Sequence, residues 1–308
     1  MNNTELLQKQ MQDLKKANDV TLPPDEGRAF MRDVVGSAAT LRKLYFYDAK
    51  SPVGKIEALG VKKRQMRLHQ GLDTVPTGTD HVIERGVPFA LVPVMTDAWF
   101  KNDNVYYTAR SRGQNVEDII AGLIQEQFGA DMQDLAFNGD QASADAFLEM
   151  NDGFLKQART NVNTIKHDVA ADITIADLQT VPTKVAREQL RAGKFVWIMG
   201  AGTHAALQAE VLQRPTALGD AVLIDGELRK LHGYEIELVD HIEEDKVLFT
   251  PLENLTVVTG FDVQYQRTGE GPEAVAKQGT YHFVLSSADF VIRTPKALVY
   301  IAADAVTP

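Results

Sequence analysis

No cysteine occurs in the 308 residues. That excludes disulfides, zinc knuckles, iron–sulfur clusters and thiolate catalysis together. Positive charge is also in short supply, with 32 Lys and Arg against 42 Asp and Glu and a formal charge of -10. A chain that grips nucleic acid by neutralising phosphates leans basic, so any nucleic acid would meet this one only through weak, non-specific contacts. No run approaches the roughly 18 apolar residues of a membrane span, and "MNNTELLQKQMQDLKK" at the N-terminus lacks the apolar stretch of a secretion signal. Synthesis in the cytoplasm, without a membrane, is the expectation. Internal repeats, low-complexity runs and long linkers are missing too. What remains, 44% hydrophobic and 24% charged, is a folded soluble chain long enough for one large or two ordinary domains.

Residues 4 to 17 carry Leu6, Leu7, Met11 and Leu14 on one helical side before "LPPDEG" breaks the pattern. This leading helix is either a frayed terminus or an arm that docks, through residues such as Leu6 and Leu14, on another chain. A second helix is expected over Arg28–Leu44. Then "VGKIEALGVKKRQMRLH" (Val53–His69) and "HVIERGVPFALVPVM" (His81–Met95), separated by the turn-rich "QGLDTVPTGTD", read as a long hairpin. Each arm reaches about 50 Å at full extension. Neither face of the first arm is cleanly apolar, and a two-stranded hairpin is marginal in water. Something outside its own core is therefore expected to hold it. Lys55, Lys62, Lys63, Arg64 and Arg67 are the candidate contacts, basic groups suited to an acidic neighbouring surface. The alternative is a solvated edge strand that uses Lys against aggregation.

The strongest helix signal starts at Val116, with Ile119, Ile120, Leu123, Ile124, Phe128, Met132 and Leu135 at helical spacing over about 33 Å. Asn115 is its expected cap, and Asn138–Gly139 its expected left-handed stop. A loop with a turn at Asp152–Gly153 and a short helix follow. Thr174–Leu190 reads as a helix with a step at Pro182, "KFVWIM" as a buried strand and "GTHAALQAEVLQ" as a helix. Beyond Ala221 the chain alternates mainly between short strands.

Candidate chemistry is thin. "GAGTHA" after a strand fits the dinucleotide pattern through Gly200 and Gly202, with Asp225 near the place of a ribose-binding acid. The flanks lack regular βαβ alternation, so a tight strand-to-helix turn is the simpler account. "HIEED" (His241–Asp245) lacks the spacing of a metal site and reads as a polar turn. Ser286, Ser287 and Asp289 cluster without a nucleophile elbow or a base. Trp99, Trp197, Tyr106 and Tyr107 are not interleaved with basic residues, and read as core or interface aromatics. No catalytic residue, cofactor or metal is assigned.

The order of parts resembles the major capsid protein of tailed double-stranded DNA bacteriophages. A short arm, a long two-stranded loop and a long helix ending near "NGD" are followed by "NDGFLKQ", "DLQTVPTKVAREQLRAGKFVWIMGAGTHAALQ", "LRKLHGYEIELVD", "FTPLENLTV" and a closing "FVIRTPKALVYI". The likeness covers nearly all of residues 25 to 302, and its weight lies in order and spacing. It implies an α+β capsid fold with an N-terminal arm at 1–50, an extended β-hairpin loop at 51–95, a peripheral domain at 96–170 and 271–308 whose spine is the long helix, and an axial α/β domain at 171–270. It implies a structural, non-enzymatic protein that self-assembles, as hexamers and pentamers, into the icosahedral shell around the phage genome. The expected partners are other copies, a separate scaffolding protein (the arm being short), a portal protein and a decoration protein, with the virion as the final location. An encapsulin-like compartment shares the fold and is the second reading. A dinucleotide-binding enzyme using Gly200, Gly202 and Asp225 is the third.

Overall fold

Residues 20–21, 24–61, 82–101, 116–169, 172–213, 228–260, 263–269 and 271–303 are described by the computed structural model. After β1 (Val20–Thr21) comes α1 (Pro24–Ser37), with its proline at the first helical position, where a missing N–H costs nothing. Met31, Val34, Val35 and Ala38 recur at three- and four-residue spacing and are buried. The helix expected to run on to Leu44 stops at Ser37 and gives way to a 3-10 turn, Leu41–Lys43. The cause is tertiary: Gln133 Oε1 takes the Thr40 N–H at 3.2 Å, and Lys43 pairs with Glu237 at 2.5 Å.

β2 (Tyr45–Ala49) leads to β3 (Val53–Val61), which pairs antiparallel with β4 (Val82–Ala90), Val53 opposite Ala90 and Val61 opposite Val82. This ladder is a two-stranded sheet of its own. The expected second arm, His81–Met95, ends five residues early. At Leu91 the backbone N–H turns back to Pro52 O at 2.8 Å, and the chain enters β5 (Val92–Lys101) in a different sheet.

α2 (Val116–Asn138) is the long helix that the apolar spacing predicts, 23 residues and about 35 Å long. Its end corrects one expectation. Neither Asn138 nor Gly139 adopts a positive φ. The Gly139 N–H still reaches Leu135 O at 3.0 Å, and the glycine is required because Asn151 O and Gly153 N press against the place a Cβ would occupy. Close approach, not left-handed geometry, selects it. The chain continues through a 3-10 turn (Leu148–Met150), α3 (Phe154–Thr160) and β6 (Ile165–Asp168). The helix expected over Thr174–Leu190 divides after Pro182, into α4 (Ile175–Lys184), opened by a capping box between Thr174 and Asp177, and α5 (Arg187–Ala192). β7 (Phe195–Met199), α6 (Ala201–Gln213), β8 (Lys230–Leu231), β9 (Tyr234–Leu238), β10 (Val247–Pro251), β11 (Leu255–Gly260), β12 (Gln264–Thr268), α7 (Pro272–Lys277), β13 (Gly279–Ile292) and β14 (Val299–Ala302) complete the described chain.

Two six-stranded sheets organise these elements. In the first, β13 is the spine. β5 pairs along Gly279–Ala288, β12 along Tyr281–Leu285 and β11 along Ala288–Ile292, with β2 added parallel to β11. In the second, the order is β6-β14-β10-β7-β9-β8. Residues 271–303 thus supply one strand to each sheet, and so do residues 247–260. Both crossovers run side by side and one buried side chain pins them. Asn254 Nδ2 donates to Thr250 Oγ1 (3.0 Å) and Thr294 O (3.1 Å), while its Oδ1 accepts the Thr294 N–H at 2.7 Å.

Apolar burial forms two large clusters, and the one under the first sheet also takes in Ile198, Leu248 and Tyr300 of the second. α1, α2 and α3 cover the first, with Phe137, Phe154 and Phe290 in edge-to-face contact at 5.5 and 5.9 Å. α4 and α6 cover the second around Trp197, whose Nε1 donates to Leu231 O at 2.9 Å.

Candidate assembly surfaces

The hairpin is rooted by a small cluster. Ile56 and Phe89, each 5% exposed, meet Ala49, Val258 and Val291, with Tyr47, Val87 and Leu91 at the margin. Tyr47 meets the Phe89 ring edge-on at 5.8 Å. The sequence suggested that no face of the first arm is apolar and that support comes from outside. At the root this is corrected, because Ile56 and Phe89 converge across the ladder into one apolar side seated on the chain's own sheet. Alternation alone hid it: among the described side chains of β3, Ile56 is the buried one. Val53 stands 71% exposed, and Lys55 and Glu57 are exposed as well. Lys55, opposite Pro88, faces solvent near the root. Lys62, Lys63, Arg64, Arg67, Leu6 and Leu14 lie outside the described residues.

By sequence, α2 is of the opposite sign. It holds five carboxylates (Glu117, Asp118, Glu126, Asp131 and Asp134) and no basic residue. Ile124, Phe128, Met132 and Leu135 are buried, whereas Leu123, Glu126 and Gln127 are exposed. At its C-terminal end the Asn138 amide donates to His241 O, and Lys156 pairs with Asp140 at 2.8 Å. That ammonium is the main cause holding the Asp140 carboxyl below its ordinary 3.8.

The dinucleotide reading fails on geometry. β7 does run into α6 through Gly200, but it lies between antiparallel β10 and parallel β9, not in a doubly wound sheet. The Glu244 carboxylate sits against Gly202, so the place a pyrophosphate needs already holds a negative group. Asp225 lies outside the described residues. The sequence motif misled because Glu244 arrives from a distant turn.

Other candidates prove structural. In the 241–245 stretch, His241 and Asp245 take positive φ, Ile242 is buried and Glu243 pairs with Lys246. Among the described residues, no three His, Asp or Glu side chains gather as a metal site. Ser286 Oγ donates to Met31 Sδ at 3.1 Å. Trp197 is core. Trp99 is half-buried on β5, with the Tyr281 ring at 5.0 Å and Lys277 Nζ over its face at 4.3 Å. Tyr106 and Tyr107 lie outside the described residues. Asn254 and Asp289, the buried polar groups that tie segments together, carry no local sequence signature. No described helix is long and apolar enough to cross a membrane.

The sequence model of the phage capsid family matches residues 110–303. A putative prophage capsid protein of Bacillus subtilis, YqbE, is 24% identical over 225 residues, 71% of this chain and 70% of its own. Among solved structures, the satellite phage P4 procapsid, which includes a size determination protein, aligns with a TM-score of 0.68 at 16% identity over 97% of both chains. The capsid of an empty GTA particle aligns at 0.58 and 14% identity, over 87% of this chain and 90% of its own. At these identities the structural likeness concerns the fold.

Proposed function

Because this chain belongs to the phage capsid family, we propose that its copies close the shell by laying each hairpin over a neighbouring copy. It is a structural phage capsid protein of the shell. The observation that carries the proposal is the hairpin itself. Among the described residues β3 and β4 pair only with each other, and they are seated on the body by one small apolar cluster and the Ala90–Asp289 hydrogen bond. A two-stranded ribbon beyond such a root is marginal in water and gains most from an external surface. The acidic helix α2 of a sister copy suits the basic Lys62, Lys63, Arg64 and Arg67.

In this reading residues 1–50 form an arm and 51–95 the extended loop. Residues 96–170 and 271–308, with α2 as spine, are the peripheral domain and 171–270 the axial domain, and the two exchange strands: β11 and β12 join the sheet built on β13, whereas β6 and β14 join the other. The strand exchange at Pro251–Asn254 and at Thr294–Ala297 couples the two. Hexamers and pentamers, a separate scaffolding protein, a portal and a decoration protein are the proposed partners. The size determination protein found with the P4 procapsid is in keeping with an accessory assembly factor. Double-stranded DNA faces a wall of net charge -10 and is held only weakly. Synthesis in the host bacterial cytoplasm precedes incorporation into the virion, and no catalytic step is part of the role.

The test is deletion of residues 53–90. Pro52 O and Leu91 N are already 2.8 Å apart, so a short glycine linker closes the gap without strain. The variant should remain folded and fail to build particles by electron microscopy. Normal shells from it would refute the proposal.

A further inference from the structure

β13 reaches Asp289 just past the end of its ladder with β5, whose last pair is Ala288 with Val92. Here the chain leaves the sheet for the hairpin, and the Asp289 side chain spans the departure. Its Oδ2 accepts the backbone N–H of Ala90, the final residue of β4, at 2.8 Å. Its Oδ1 accepts Asn151 Nδ2 at 3.0 Å and the backbone N–H of Phe290 at 2.8 Å. Asn151 is itself held, since its Oδ1 accepts the Asp152 N–H at 2.8 Å. Gln157 Nε2 locks the same corner by donating to Asp152 O at 2.8 Å and Phe290 O at 2.5 Å. One carboxylate therefore joins the hairpin, the entry to α3 and the long strand.

Asp289 is 9% exposed, and the three donors to its carboxylate are all neutral. Burying it carries a cost that an apolar residue would avoid. The arrangement also needs both oxygens. An asparagine offers one acceptor, and its NH2 must face a donor whichever way it turns. The orientation that keeps most bonds points oxygen to Asn151 and Phe290 and gives up Ala90.

We infer that Asp289 is the joint that fixes how the hairpin leaves the body, a positioning residue for assembly. The joint is a property of the single chain; only its consequence for assembly rests on the shell reading. In a closed shell every copy repeats the same contact, so an error at the joint recurs at each interface.

Residue-resolved hydrogen exchange at neutral pH tests the joint on the purified full chain and on Asp289→Asn. The Ala90 amide should exchange about tenfold faster in the variant, or more, as loss of a hydrogen bond to a charged acceptor implies. Amides of β7 and β10 should change much less, and shells should be fewer or uneven in size. Ala90 exchange unchanged, or equal acceleration in β7 and β10, would overturn the inference. If the variant does not fold, the wild type decides: Ala90 must exchange more slowly than amides farther out in β4, and equal rates would refute the joint. A loosened Ala90 with normal shells would break the link to assembly. Wild-type chains that form no shells would count against the shell reading, while the exchange result still judges the joint.

Discussion

Phe89→Ala removes the largest side chain of the hairpin root. The ring is 5% exposed and packs on Tyr47, Ile56, Ala49, Val258 and Val291. Truncating a buried Phe costs about 3–5 kcal/mol, and the root has little else. Ile56 remains, with the bonds from Ala90 to Asp289 and from Leu91 to Pro52. At 1.4 kcal/mol per tenfold, detachment of the hairpin becomes roughly two to three and a half orders of magnitude more frequent. The two large cores around Phe154 and Trp197 are untouched, so global stability falls by no more than the hairpin's own docking free energy. Hydrogen exchange should show the loss in β3 and β4 first, and limited proteolysis should cut there. Particle yield should collapse. Exchange in β4 within about threefold of wild type would refute the idea that this cluster holds the hairpin. An equal loss in β7 and β10 would show that the hairpin and body unfold as one unit.

Asn254→Ala should cost about 2–4 kcal/mol by urea unfolding, because it strips three buried hydrogen bonds from the two crossovers; a loss under about 1 kcal/mol would deny its pinning role. Gly139→Ala should destabilise the end of α2 by about 1–3 kcal/mol, since Asn151 O and Gly153 N must give way, and a neutral result would reject close approach as the reason for the glycine. Two carboxylates give opposite pH slopes. Burial is the main cause pushing the Asp289 carboxyl above 3.8, ahead of its hydrogen bonds, with the Asp152 charge adding to the rise. The proton-linked part of its contribution is therefore present below 3.8 and lost as pH rises through its folded value, while the hydrogen bonds it accepts when ionised offset part of the burial cost. Asp140 sits below 3.8, so its contribution is present above 3.8 and lost as pH falls through the lower folded value. Urea midpoints of wild type minus Asp289→Asn should move against wild type with rising pH, and those of wild type minus Asp140→Asn in its favour. Slopes of the same sign would contradict the burial argument.

The sequence made α2 and β7 legible because each has one dominant signal, helical spacing from Ile119 to Leu135 and an unbroken apolar run at Phe195–Met199. The hairpin was legible from two strand-like arms around a turn-rich center. Its end at Ala90 was not, since strand-like residues continue through Leu91 and Val92 and the switch of sheets is imposed by Asp289 from far along the chain. The stop of α1 escaped for the same reason, with Gln133 capturing Thr40. The G-x-G turn looked like a phosphate site until Glu244 was found against it. Of the candidate contact residues only Lys55 lies among the described ones, and it is exposed near the root.

The most direct measurement is a cryo-electron microscopy reconstruction of particles formed by the purified protein. A closed shell in which β3 and β4 of every copy lie across an adjacent copy, with Lys62, Lys63, Arg64 and Arg67 against its α2, is the predicted result. Hairpins folded back on their own chain, or a protein that stays dispersed at high concentration, would contradict it.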